Sequence, residues 1–226
     1  MIYVTGDMHA EIQRFNDKDI RHLKKNDILI ICGDFGFIWD NSETEQKIIA
    51  QLSKKKFTIA FVDGTHENFD LLYKYPEVDW NEGKVRKISD NIYNMMRGEI
   101  YNIEDKKIFA FGGGESDEKE TRLSMGTWWK QEVPTLAEMK LGVEKLGSVD
   151  RKIDYIITHE PPAHIKKIMS MNIDKRNVLT TFFDELSKEV DYKKWFFGSI
   201  HVDRAITSKH RALFTDVVPI DNSGRK

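Results

Sequence analysis

Short apolar runs bounded by turn residues recur along the chain: Ile2–Thr5, Asp27–Cys32, Phe57–Val62, Lys107–Phe111, Ile153–Thr158 and Lys194–Phe197. Their length and their β-branched and aromatic content are those of buried strands. Segments with apolar residues at helical spacing lie between several of them. Glu43–Leu52 puts Ile48, Ile49 and Leu52 on one face, Thr135–Leu146 starts behind Pro134 and ends at Gly147, and Asn177–Val190 carries Leu179, Phe182, Phe183 and Leu186. Strands alternating with helices predict a layered α/β fold. Two stretches break the alternation. Lys84–Ile88, Ile92–Met95, Glu99–Ile103 and Lys107–Phe111 read as antiparallel strands joined by tight turns, and Arg204–Thr207 and Arg211–Val218 flank a Ser-Lys-His turn. Two helix-covered sheets accommodate both blocks in a single domain spanning 1–226, because no linker-like tract or internal repeat marks a boundary.

Composition narrows the class. The chain has 226 residues, 40% hydrophobic and 32% charged, with 35 Lys plus Arg against 37 Asp plus Glu and a net charge of −2. That balance excludes disordered and collagen-like classes, and it lacks the basic excess that drives non-specific duplex binding. Cys32 is the one cysteine and sits in an apolar run, so it makes no internal disulfide and points to a reducing, cytoplasmic setting. The amino terminus shows no secretory pattern, and no apolar run approaches the roughly 18 residues that span a bilayer; no membrane partner is expected. Gly112–Gly114 with the polar residues behind it reads as an exposed loop, since it lacks the Gly-Lys-Ser/Thr ending of a phosphate cradle. Trp128 and Trp129 read as packing residues.

The chemistry concentrates where strands end. Ile2–Thr5 runs into Gly6-Asp7-Met8-His9, Ile28–Cys32 into Gly33-Asp34, Phe57–Val62 into Asp63-Gly64-Thr65-His66, Tyr155–Thr158 into His159-Glu160, and Trp195–Phe197 into Gly198-Ser199-Ile200-His201. An Asp after Gly is an ordinary turn residue, but turn chemistry gives no reason for histidines at four such ends. His22, His164 and His210, in polar or helical surroundings, read as surface residues. In open α/β sheets the carboxyl ends of strands converge on the ligand crevice. Imidazole and carboxylate together suit Mn, Fe or Zn.

Taken in order, Asp-x-His, Gly-Asp, the Gly-Thr-His-Glu run, a strand-end His and the closing Gly-Ser-Ile-His resemble the calcineurin-like metallophosphoesterase family, in a bacterial and phage branch, from Asp7 to His201. The resemblance implies an α/β fold of four-layer α/β/β/α form with mixed sheets. It makes Asp7, His9 and His201 ligands of a first metal, Asp34 the bridge to a second and His159 a ligand of that second metal. His66 would stabilise or protonate the leaving oxygen, a task suited to imidazole. The implied cofactor is a divalent transition metal, Mn²⁺ foremost with Fe or Zn as alternatives. The implied partner is a phosphorylated substrate, whether phosphoprotein, nucleotide or nucleic acid end.

Three positions depart from the family pattern. Thr65 replaces an Asn ligand and Ser199 replaces a His ligand, both of the second metal, so one site is firm and the second weakened. Phe37 stands where many members carry an Asp followed by a phosphate-binding Arg, and Arg97 is the candidate substitute. Glu160 and Asp63 are nearby acids that read as turn or salt-bridge residues. Two functions follow: a metal-dependent phosphoesterase acting on mono- or diesters through activated water, or a metal-binding regulatory module that keeps the fold with most turnover lost.

Overall fold

The computed structural model describes residues 1–169 and 177–221. One sheet holds seven strands. They are β1 (Ile2–Thr5), β2 (Ile28–Ile31), β3 (Thr58–Phe61), β4 (Glu77–Trp80), β5 (Gly83–Lys87), β6 (Ile92–Met95) and, from the far end of the chain, β13 (Val218–Pro219), in the order β13-β1-β2-β3-β6-β5-β4. The other holds β7 (Glu99–Ile103), β8 (Lys106–Phe111), β9 (Tyr155–Thr158), β10 (Lys194–Phe197), β11 (Arg204–Ala205) and β12 (His210–Ala212), in the order β11-β12-β10-β9-β8-β7. Each sheet has a parallel centre, β1-β2-β3-β6 in one and β8-β9-β10-β12 in the other, flanked by antiparallel strands.

The alternation of side chains along each strand explains the layering. In β2, Ile30 faces an apolar cluster that draws on both sheets, while Leu29 and Ile31 face a second cluster with helices on it. In β9, Tyr155 and Ile157 join the first cluster and Ile156 joins a third. The second cluster is closed by α1 (Lys18–Arg21), α2 (Glu43–Leu52) and α3 (Phe69–Leu72). The third is closed by α5 (Leu136–Gly147), α6 (Ala163–Ile168) and α7 (Val178–Glu189), with α4 (Lys119–Ser124) preceding them in the chain. The result is an α/β/β/α stack. Among the described residues, no helix is long and apolar enough to cross a membrane.

Helix ends follow their sequence signals. Ser42 caps α2 by accepting the Glu45 N–H, and Thr135 and Glu138 form a capping box on α5.

The structure corrects four expectations. The block from Lys84 to Phe111 is not one antiparallel unit, because the chain crosses between sheets at Arg97-Gly98: β5 and β6 pair in the first sheet, β7 and β8 in the second, and β6 runs parallel to β3. The tail is also divided, with β11 and β12 in the second sheet and β13 antiparallel to β1 in the first. Gly112–Gly114 is buried rather than exposed, the backbone of Gly113 donating to the Asp63 carbonyl at 2.8 Å. His210 is buried against Trp195 at 5.9 Å between ring centroids, with Tyr192 Oη 3.2 Å from its Nε2. Strand β4, with Glu77 and Asp79 exposed, carries too polar a sequence for its pattern to stand out.

Candidate metal centre

Because β1, β2 and β3 run parallel, their carboxyl ends share one edge of the first sheet; β9 and β10 do the same in the second. The two edges meet, and the five expected ligands come together there. Asp7, His9 and His201 each bring one ligand atom within 4.8 Å of the others, as do Asp7, Asp34 and His159, and also His9, Asp34 and His66. His201 Nε2 lies 3.1 Å from Asp7 Oδ2 and 2.9 Å from His9 Nε2. His159 places Nδ1 3.5 Å from Asp7 Oδ1 and Nε2 3.7 Å from Asp34 Oδ1. Asp7 and Asp34 each take part in two of these three groupings, and both are buried.

The local backbone is shaped for this crowding. Asp34, His9, Ser199 and His201 adopt positive φ of 45°, 46°, 65° and 48°, a region that costs non-glycine residues about 1–2 kcal/mol and concentrates at functional sites. Glycine is required beside each carboxylate: a Cβ at Gly198 would sit 2.1 Å from Asp7 Oδ1, and one at Gly64 would sit 2.0 Å from Asp34 Oδ1. Backbone donors aim the oxygens. Ser199 N donates to Asp7 Oδ2 at 2.9 Å, and Thr65 N and His66 N donate to Asp34 Oδ1 at 2.6 and 2.8 Å.

The electrostatics fit a cation. Burial disfavours charge on both Asp7 and Asp34, yet neighbouring histidines hold both carboxyls below the usual range. Burial likewise opposes charge on His159, but Asp34 and Asp7 outweigh it and push its pKa up to about 10. The hydrogen bond to Asp7 raises His201, while burial lowers His9. A divalent cation would offset the charge of the two buried carboxylates through the same atoms. His159 Nδ1 lies 3.1 Å from the Cys32 carbonyl, the outer contact that typically sets the tautomer of a ligating imidazole.

The departures from the family pattern are visible in space. Ser199 Oγ donates to Glu160 Oε1 at 3.2 Å, and Glu160 Oε2 is 2.5 Å from Lys166 Nζ, so Glu160 is neutralised by a lysine. Phe37 is buried in the helix-covered cluster of the first sheet. Arg97 is not a substrate contact. It is buried, with Nη2 2.5 Å from Asp63 Oδ2 and 2.8 Å from the Gln131 carbonyl and Nη1 3.3 Å from Glu138, and it does not line the cleft. This pairing also accounts for Asp63. The Arg97 guanidinium lies in the core at the point where the chain crosses between the sheets.

Sequence reasoning passed over four residues. Arg14 donates to the Asp7 carbonyl and, at 2.9 Å, to Thr5 Oγ1, fixing the loop after β1. Its position in a polar stretch carried no signal. Glu67, directly after His66, accepts the backbone N–H of Phe35 at 2.8 Å and of Gly36 at 3.3 Å; burial, reinforced by Asp34, pushes its carboxyl well up. Lys166 and Trp39 line cavities at the centre. The main cleft, of about 1040 Å³, has an acidic rim of Glu11, Glu115 and Glu118, and Lys166 is the only lysine or arginine among its described lining residues.

The sequence matches the family model for calcineurin-like phosphoesterases over residues 1–203. No curated protein matches it. Among solved structures, a putative 5′-nucleotidase from Staphylococcus aureus in complex with alpha-ketoglutarate is similar at 13% identity and a TM-score of 0.49, over 94% of this chain and 48% of that one. This chain thus spans about half the length of that neighbour. With a match that runs from β1 through β10 and takes in every candidate ligand from Asp7 to His201, the chain belongs to the calcineurin-like phosphoesterase family.

Proposed function

We propose that the chain is a metal-dependent phosphoesterase that hydrolyses a phosphate mono- or diester by attack of water, with Mn²⁺ as the working ion and Fe or Zn as ions the same donors accept. One observation carries the reading: two buried carboxylates, Asp7 and Asp34, stand among His9, His159 and His201 with ligand atoms of each grouping inside 4.8 Å, and all of these but Asp7 line an open cleft. Divalent cations held there would polarise the phosphoryl oxygens and lower the pKa of the attacking water.

The chain's own groups do the rest. Asp7, His9 and His201 make the firm set, and Asp34 faces both this set and His159. Lys166, steadied by Glu160, offers an ammonium to the phosphoryl group from the cleft wall. His66 Nδ1 lies 2.8 Å from Asp34 Oδ2, which leaves Nε2, across the ring, to meet the leaving oxygen. The modest net negative charge and acidic rim favour a small phosphorylated substrate over a long polyanion. We place the protein in the cytoplasm, in keeping with a lone buried cysteine.

The regulatory-module reading draws on Ser199 and Thr65, whose side chains are weaker second-site donors. Purified protein titrated with Mn²⁺ and assayed on 4-nitrophenyl phosphate and its bis-ester decides between them. Turnover that Asp34→Asn abolishes together with metal uptake supports the enzyme. Metal uptake with no turnover at any Mn²⁺ level supports the module.

A further inference from the structure

A second cavity, of about 340 Å³, opens beside the metal cleft. It is lined by apolar Phe37, Trp39 and Ile48 and by Gly36, with Asp40, Ser42 and Glu45 among its polar lining residues. His9 and His66 line both cavities, so the histidine pair stands at the boundary between them. The smaller one is preformed. The Glu45 carboxylate accepts backbone N–H groups from Trp39 at 2.6 Å, Asp40 at 3.0 Å and Asn41 at 3.2 Å, and Asn68 Nδ2 donates to the Trp39 carbonyl at 2.6 Å. The Trp39 ring abuts Trp129 edge-on at 5.4 Å, and Trp129 is itself held by a 2.9 Å bond from Nε1 to Asp70. Its size lies within the range of small-molecule sites, which are mainly apolar with a few placed polar groups.

We infer that this cavity is the subsite for the leaving group of the substrate, and that it takes a flat, uncharged aromatic group. The inference rests on the phosphoesterase reading above. A substrate that spans both cavities must cross at His9 and His66, which puts the scissile oxygen beside His66. The phosphoryl group then lies on the side with Asp34 and Lys166, and the remainder of the ester on the side with Trp39 and Ile48. Asp40 and Glu45 repel a second phosphate there, and Phe37, Trp39 and Ile48 present apolar surface. An aromatic ring meets an indole already immobilised, so little ordering cost opposes its stacking or edge contact.

The test compares 2-naphthyl phosphate with phenyl phosphate, leaving groups of similar acidity and unequal area, using Mn²⁺-loaded wild type, Trp39→Phe and Trp39→Ala. A kcat/KM ratio favouring the naphthyl ester should fall about tenfold in Trp39→Ala, the size of one lost aromatic contact, and largely persist in Trp39→Phe. A ratio unchanged in Trp39→Ala overturns the subsite. Calorimetric titration of 2-naphthol into metal-free protein gives a readout independent of turnover. If no ester is hydrolysed, the phosphoesterase reading fails, and naphthol binding lost in Trp39→Ala still upholds the aromatic cavity, whereas absent or unaltered binding overturns it. Should Trp39→Ala unfold, Ile48→Ala replaces it with the same expected direction.

Discussion

His66 and Asp34 are joined twice: the imidazole Nδ1 lies 2.8 Å from Asp34 Oδ2, and the backbone N–H of His66 donates to Asp34 Oδ1 at 2.8 Å. A ring anchored this way has one free nitrogen and a fixed direction in which to deliver a proton. Replacing His66 by Asn should lower kcat on alkyl phosphates by about 10²–10³ and much less on esters of acidic phenols, whose leaving oxygens need no proton. The slope of log kcat/KM against leaving-group pKa, measured for both proteins, checks this. An equal loss across the series would assign His66 to metal binding instead.

Arg97 tests the difference between a substrate contact and an internal ion pair. Burial disfavours its charge, but Asp63 and Glu138 outweigh this and raise its pKa. Arg97→Met leaves Asp63 buried and unpaired, which should cost about 3–5 kcal/mol in urea unfolding. KM of the protein that remains folded should stay within about twofold, since no contact to a ligand is removed. A tenfold rise in KM at unchanged stability would return Arg97 to the cleft.

The weakened half of the centre can be rebuilt. Ser199 has φ of 65°, a region that histidine tolerates better than most residues, and Thr65 lies beside Asp34 through its backbone. Thr65→Asn with Ser199→His should raise the metal content per chain after dialysis and increase turnover. Elemental analysis reads the first quantity directly; unchanged content would mean that these positions do not address a cation.

His210 predicts an acid limit. Burial, with smaller contributions from His164 and Lys209, lowers its pKa to about 4 from an ordinary 6.5. Thr207 Oγ1 is 2.9 Å from Nδ1 and Tyr192 Oη 3.2 Å from Nε2, so the neutral ring is satisfied on both sides, with Trp195 stacked on it and His164 at 5.4 Å. The unfolded chain binds the proton more readily, so this contribution is complete above pH 6.5 and lost as pH falls toward 4, by of order 3 kcal/mol. His210→Gln should flatten the pH dependence of unfolding in that window. A wild-type profile already flat there would contradict the burial of a neutral imidazole.

Much of the second sheet's order and of the first sheet's last strand could not be read in advance. Strand β6 is the sequence neighbour of β7 but the spatial neighbour of β3, and nothing in Ile92–Met95 encodes that choice. It follows from the turn at Met96–Gly98, where Arg97 reaches its buried partners. His210 looked polar by its neighbours Lys209 and Arg211, which face outward, while the period of the strand turns it inward. Arg14 is another such case, a polar residue made important by a carbonyl that only folding brings near.

The order of apolar runs, the helix caps at Ser42 and Thr135, and the acids and histidines that follow strand ends are local properties. They depend on side-chain period and on turn chemistry within a few residues, so the sequence alone determined the α/β class and the five candidate ligands. Pairing partners, the crossing between sheets, the capture of Asp63 by Arg97 and the aromatic cavity at Trp39 depend on groups far apart in the chain. Those were decided by tertiary structure, because a charge or an indole has no fixed role until packing determines which atoms lie within a few ångströms of it.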